Sequence, residues 1–376
     1  MDEYTRHQKI WRVLYALSNR WVCRKFNLTH EDLHVEGPVL LIPNHVSAWD
    51  PLLVAMSLKD KQAYFVASEH IFRLGFVTKL LGWALGPIAR RKGSSGADTV
   101  KACLRHLRAG HSICLFAEGE ASWDGLPHPI FPATGKLVKS SGATLVTYRL
   151  EGGYLSVPRW AWTRRRGRVH GHPVGIYPPE QLKSMTPAEI NEIISRDLNE
   201  DAWARQRENP VPYRGKRRAE GLERMLYLCP RCRRIGTLHT KDDWLYCDCG
   251  LSVRYTETGF LDPAEPFETL AEWNAWQKET LKDVEKAPDK LLFSDDELLL
   301  SRVSLDHGVE KLGRGTLEQY GDRLCFAGRV FPMAEIGNMA MVKANILLMS
   351  VGETYYEIRS NKGANLLKYL DLWKER

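Results

Sequence analysis

The stretch Asn44-His45-Val46-Ser47-Ala48-Trp49-Asp50 follows directly on the apolar run Val39 to Ile42. A carboxylate a few residues past a histidine can turn back and hydrogen-bond one imidazole nitrogen, which fixes the tautomer and raises the basicity of the other nitrogen. Such a pair takes a proton from an alcohol, with His45 as the base and Asp50 as its orienting partner. Phe116-Ala117-Glu118-Gly119 also follows an apolar run, Ile113 to Phe116. A carboxylate there can hold a substrate hydroxyl, and the glycine lets backbone come close to a ligand. Between Gly86 and Gly93 stand three consecutive cations, Arg90, Arg91 and Lys92, able to bind phosphate through charge-assisted hydrogen bonds. Taken singly, each has a plainer reading: a loop histidine beside a helix-capping aspartate, an isolated Glu-Gly, a solvated basic loop.

The elements that must position these groups come from the alternation between Val35 and Val146. Apolar runs at 39–42, 63–66 and 113–116 alternate with helical stretches from about Pro51 and about Thr99, the pattern of an α/β sheet. His45 and Glu118 then lie just past the carboxyl ends of strands, where such sheets place their sites. Upstream, residues 6–25 read as a helix with Ile10, Leu14, Leu17 and Trp21 on one face, widened by Trp11, Tyr15 and Val22. Its polar side is basic, which suits an interfacial helix on anionic lipid as well as one packed on its own domain. A helical segment from Pro187 to about Arg207 is followed by Pro210, Pro212 and the basic run 214–218, which read as the linker closing the first domain.

Taken in order, His-x4-Asp, a Gly-x-Ile segment ending in arginine, Phe-x-Glu-Gly and the apolar strand Ala143 to Tyr148 resemble the glycerolipid acyltransferase family, over about residues 30–180. The lysophosphatidic acid acyltransferases are its best-known members. The resemblance implies that His45 is the general base on the acceptor hydroxyl, that Asp50 orients it, and that Asn44, Arg90, Arg91, Glu118 and Gly119 contribute to substrate binding. It also implies direct attack on an acyl thioester, carried by coenzyme A or acyl carrier protein, with no acyl-enzyme; Ser47 is then a local cap and not a nucleophile. Two departures bear on the acceptor. Glu120-Ala121-Ser122 stands where the family usually has Thr-Arg-Ser, and Ala117 where it has proline. One cation near the acceptor is thus missing, and Arg159 or the run Arg164 to Arg168 are candidates to replace it.

The eight cysteines of the 376 residues divide into a scattered four and a cluster, Cys229, Cys232, Cys247 and Cys249. Cys-x2-Cys and Cys-x-Cys separated by fourteen residues suit four thiolates around a structural Zn2+, a zinc ribbon, with His239 as a reserve ligand. Arg231, Arg233 and Arg234 beside it raise nucleic acid as a partner, but aromatic and basic residues are not interleaved there in an RNA-binding pattern, so docking or structural service is favoured. Beyond a Trp-rich helical piece ending near Lys286, short apolar runs (290–293, 297–303, 323–326, 346–350, 354–359) and a closing helix, 364–375, indicate a small antiparallel barrel or sandwich, similar in pattern to the pleckstrin-homology class. The expected organisation is an α/β acyltransferase domain, 1–218, a zinc ribbon, 219–260, and a helical connector with a β domain, 261–376.

A net charge of +7 with 44% hydrophobic and 26% charged residues excludes disorder and fibres and admits anionic lipid, phosphorylated small molecules or nucleic acid as partners. The apolar stretches fall short of a bilayer span and no signal peptide is visible, so the reading is a cytoplasmic protein, peripheral on the inner face of a membrane. The alternatives are a catalytically silent lipid- or nucleic-acid-binding scaffold, or acyl transfer to a different lipid acceptor.

Overall fold

The computed structural model describes residues 2–68, 76–90, 96–304, 308–361 and 363–375. It divides into two compact units, one of residues 1–159 and 164–214, the other of 160–163 and 215–376. The cysteine cluster shares its unit with the C-terminal strands.

Unit 1 begins with helix α1 (Glu3–Phe26), capped by the Asp2 carboxylate on the Thr5 N–H. Then follow β1 (Leu28–His30), β2 (Val39–Pro43), α2 (Asp50–Ala55), β3 (Ala63–Ser68), α3 (Phe76–Leu85), β4 (Ile88–Arg90) and α4 (Ala97–Arg108). The unit continues through β5 (Ser112–Cys114), α5 (Ala133–Ser141), β6 (Thr144–Glu151), α6 (Gly153–Ser156), β7 (Val169–Tyr177), α7 (Pro179–Ser184), α8 (Pro187–Asp197) and α9 (Ala202–Glu208). Among the described residues the strands form one sheet in the order β1-β7-β6-β2-β5-β3-β4, parallel except where β6 meets β7. This is the mixed α/β class with a parallel-rich sheet.

β2 lies near the middle of that order and is buried at all five positions, as a strand covered on both faces must be. On one side Leu40, Ile42, Ile113 and Leu145 pack with Cys103 and Leu107 of α4, Val138 of α5 and Ile190 and Ile194 of α8. The helical segment expected over 187–207 is two helices: α8 ends at Asp197, and Asp201 caps a new start by accepting from the Trp203 and Ala204 N–H groups. α1 likewise divides its apolar residues. Tyr15, Val22 and Phe26 are buried, whereas Leu14, Leu17 and Trp21, expected on the same stripe, are exposed.

α5 and α8 meet through Gly135. A Cβ built there would stand 2.0 Å from the Pro187 carbonyl oxygen, a backbone atom that no rotamer change can move. Gly135→Ala should therefore force the helices apart and lower unfolding free energy by about 2–3 kcal/mol, the usual penalty of overpacking. A denaturant midpoint equal to that of the parent chain would contradict this close approach.

Unit 2 opens with β8 (Leu238–Lys241), β9 (Trp244–Cys247), β10 (Ser252–Tyr255) and β11 (Leu261–Asp262), antiparallel in the order β11-β10-β9-β8. Helix α10 (Leu270–Lys282) carries a capping box of Thr269 and Glu272. The rest is β12 (Leu291–Val303), β13 (Val309–Tyr320), β14 (Arg323–Phe326), β15 (Arg329–Pro332), β16 (Ile336–Val342), β17 (Ile346–Val351), β18 (Thr354–Arg359) and α11 (Leu367–Lys374). These strands are antiparallel in the order β15-β14-β13-β12-β18-β17-β16. The runs expected separately at 290–293 and 297–303 are one strand, β12, whose pairing with β13 shifts register at three points, one of them between Asp295 and Leu298 where Glu297 has φ 57°. Such irregularities let a long strand bend. Tyr369 of α11 donates its hydroxyl to Asp295 of β12 and to the Leu317 carbonyl of β13, tying the last helix to the sheet.

Candidate active site

Three sequence motifs lie at the carboxyl ends of parallel strands. β2 and β5 are hydrogen-bonded neighbours, with Leu41 opposite Cys114 and the Leu115 N–H donating to the Leu41 carbonyl. The loops that leave them, carrying His45 and Glu118, therefore emerge side by side. Arg90 ends β4, which pairs with β3 on the far side of β5. Arg91 lies outside the described residues.

The His45 Nδ1 sits 2.7 Å from Asp50 Oδ2, and since the carboxylate accepts, Nδ1 carries the proton and Nε2 keeps its lone pair. Asp50 is fully buried and accepts three more hydrogen bonds: from the N–H groups of Val46 and Ser47 to Oδ2 and from the Ser47 hydroxyl to Oδ1. Ser47 Oγ also accepts from the Trp49 N–H. These bonds close the loop into a tight turn at the head of α2, so Asp50 holds the backbone from 46 to 47 as well as the imidazole. His45 itself remains about one-fifth exposed, with its ring against Phe116 at a centroid distance of 4.5 Å.

Around this pair, the other motif residues bind loops to one another. Asn44 is buried, its amide accepting from the Leu150 N–H and donating to the Leu150 carbonyl, as a strand partner would. Both ends of its amide thus serve to latch the loop to β6. Glu118 is also buried: Oε1 accepts from the His45 N–H and Oε2 from the His128 N–H, each at 2.7 Å. Gly119 adopts φ 77°, and a Cβ there would meet the Phe131 ring at 2.3 Å. The other face of that neighbourhood is cationic, since the Arg90 guanidinium lies over the Phe131 ring at 5.5 Å. Of the candidate replacements for the missing cation, Arg159 pairs with Glu120 at 2.7 Å and stacks over Trp123, directly beside the Glu118-Gly119 turn. No motif signals Phe131 or the His128 N–H, because their roles arise only when the loop after β5 folds back on itself.

Burial pushes Glu118 from its ordinary 4.5 up to about 8, against the downward pull of the His128 and His45 N–H donors and with a smaller upward push from Asp50. The folded chain then holds a proton there that the unfolded chain has already released. Stability from this group is complete below about pH 4.5 and is lost as pH rises through about 8, at a slope approaching 1.4 kcal/mol per pH unit. Glu118→Gln should flatten that part of the curve; melting temperatures of the two proteins that run parallel from mildly acidic to mildly alkaline buffer would refute it.

In unit 2 the Sγ atoms of Cys229, Cys232, Cys247 and Cys249 all lie within 4.8 Å of one another. The pairs Cys229–Cys249 and Cys232–Cys247 stand 3.7 Å apart. A disulfide needs about 2.05 Å, whereas four sulfurs at about 2.3 Å from a tetrahedral Zn2+ are about 3.8 Å from each other. The donor set fits zinc. His239 instead pairs with Asp248.

Residues 25–151 match the family model described as acyltransferase. Over 123 residues the chain is 28% identical to a chloroplastic 1-acyl-sn-glycerol-3-phosphate acyltransferase of Brassica napus, covering 31% of this chain and 34% of the relative. The corresponding Arabidopsis thaliana protein is 28% identical over 122 residues, 31% of this chain and 33% of its own length. The chain thus spans about a third of the length of these curated relatives. The crystal structure of the 1-acyl-sn-glycerophosphate acyltransferase PlsC from Thermotoga maritima aligns with a TM-score of 0.41 and 16% identity, over 50% of this chain and 79% of that one.

Proposed function

We propose, from the premise that this chain belongs to the acyltransferase family through its residues 25–151, that it transfers an acyl group from a thioester to the hydroxyl of a lysophosphatidic acid-like acceptor at a membrane surface. The observation that carries this reading is the His45–Asp50 pair, with Nδ1 held and Nε2 left to accept a proton. As the acceptor oxygen attacks the thioester carbonyl, its proton passes to Nε2, and Asp50 stabilises the imidazolium that forms. Collapse of the tetrahedral intermediate breaks the carbon–sulfur bond, and the leaving thiolate takes the proton back. Ester and free thiol are the products, and no residue is acylated.

In this reading coenzyme A or acyl carrier protein carries the donor, Arg90 and Arg91 meet the acceptor phosphate, Glu118 and Asn44 keep the His45 loop in place, and Gly119 allows Phe131 close to the acceptor. The four cysteines hold a structural zinc in a ribbon, and the C-terminal strands with their closing helix form a pleckstrin-homology-like domain; the linear strand order and the single long strand joining its two halves support that likeness. The location would be the cytoplasmic face of a membrane; no described helix is long and apolar enough to cross one. Labelled acyl thioesters offered with a panel of lysolipids on liposomes test the proposal. Transfer by the parent chain that disappears in His45→Ala supports it, and transfer indifferent to His45, or lipid binding with no transfer to any acceptor, overturns it.

A further inference from the structure

The outward side of α1 mixes two kinds of side chain that soluble helices normally separate. At 100° per residue, Arg20, Arg24, Leu17, Trp21 and Lys25 fall within an arc of about 140°, opposite the buried Tyr15, Val22 and Phe26. Leu17 is 76% exposed and Trp21 54%. Facing this arc, the chain around Arg165 alternates: Arg165 points inward, while Arg164 and Arg166 point outward, with the Arg166 backbone bridged to Arg214. The two segments enclose an open groove of about 570 Å³.

Five cations line this groove and no acidic side chain does. Among the described residues, none of the five is in an ion pair. Two of them rest on rings: the Lys25 ammonium lies 4.3 Å from the Trp21 centroid and 5.1 Å from that of Trp49, and Arg164 lies 5.3 Å from Phe26. Partial burial and the neighbouring charge of Arg166 hold the Arg164 guanidinium below its ordinary value. Such a cluster carries uncompensated repulsion that an anion relieves. The exposed leucine and tryptophan on its rim select the kind of anion, because a soluble phosphate offers them nothing, whereas the headgroup boundary of a bilayer takes both the charge and the apolar side chains.

We propose that this groove binds the phosphate of anionic phospholipid in a membrane, with Leu17 and Trp21 entering the acyl boundary. Trp49, which shares Lys25 with the groove, immediately precedes Asp50, so the bound lipid surface adjoins the loop that bears the His45–Asp50 pair. The proposal rests on the reading that the substrate is a membrane lipid, yet its test does not use acyl transfer, so either can fail alone.

The test is cosedimentation of the full chain with vesicles of phosphatidylcholine alone and of phosphatidylcholine with phosphatidylglycerol. The parent chain should bind the anionic vesicles, and more weakly as salt is raised. Each cation near such a surface is worth about fivefold in partitioning, so Arg20→Gln with Arg24→Gln and Arg164→Gln should lower it about a hundredfold. The same three positions changed to lysine should retain binding, and a melting curve for each variant shows that its fold is kept. Leu17→Ser with Trp21→Ser should weaken binding with the cations in place. Equal binding to neutral and anionic vesicles, unchanged binding by the glutamine variant, or displacement by soluble glycerol phosphate at constant ionic strength would each overturn the proposal.

Discussion

His45→Ala should lower the rate of acyl transfer by at least about a thousandfold, within the range that a positioned general base supplies, while leaving the melting temperature nearly unchanged. The imidazole is partly exposed and makes a single side-chain hydrogen bond, so its removal takes little from the fold. Asp50 is different, because its carboxylate holds the imidazole, two backbone N–H groups and the Ser47 hydroxyl at once. Asp50→Ala leaves buried donors without partners, at about 1–3 kcal/mol for each such group, and should destabilise the loop as well as abolish transfer. Asp50→Asn separates the two roles. Its amide oxygen can take the Oδ2 position, and its NH2 can face Ser47 Oγ, which accepts as readily as it donates. The loop should then survive, but the negative charge opposite the imidazolium is gone, and kcat should fall by about a hundredfold or more with KM little altered. An Asp50→Asn enzyme with parental kcat would mean that orientation alone is enough, and a His45→Ala enzyme with parental kcat would remove the base from the mechanism.

The dyad was legible because it is local: both partners lie in one short loop after a run that can only be a buried strand, and the turn between them needs no knowledge of the rest of the chain. Glu118 was legible as a position but not in its bonding. Its two oxygens serve the His45 and His128 backbones, an arrangement that depends on β2 and β5 being neighbours, and strands separated by some seventy residues of sequence carry no periodic sign of their pairing. α1 shows a similar limit, since its apolar residues cover most of the circumference and period alone does not say which arc finds a partner. β13 was not separable from loop because Gly313 and Gly315, with four charged residues from Val309 to Glu318, hide its alternation; it is a strand because β12 and β14 supply hydrogen bonds on both sides. The cysteine cluster was the opposite case, since knuckle spacing is itself a statement of three-dimensional proximity.

Removing the zinc proposed for the four cysteines should unfold far more of unit 2 than those residues and their turns. Structural zinc contributes about 10–16 kcal/mol in small cysteine-rich modules, and here the segment that leads into the first knuckle is also sewn to both helices of the unit. The Trp273 indole donates to the Leu228 carbonyl, Gln277 of α10 accepts from the Tyr227 N–H and donates to the Met225 carbonyl, and the Tyr227 hydroxyl donates to Asp371 of α11. Once the thiolates are released, residues 225–229 lose the anchor on one side, and the buried amide of Gln277 loses its partners on the other. Purified chain should therefore carry about one equivalent of zinc, and Cys232→Ser or prolonged chelation should lower the unfolding transition of unit 2 steeply and open residues 225–262 to protease first. Because the sulfurs stand at metal-site spacing and not at bonding distance, the zinc-depleted protein should yield these four cysteines to a thiol reagent without prior reduction. A metal-free protein with an unchanged unfolding transition would show that the thiol cluster packs as ordinary core, and that α10 and α11 hold this segment without it.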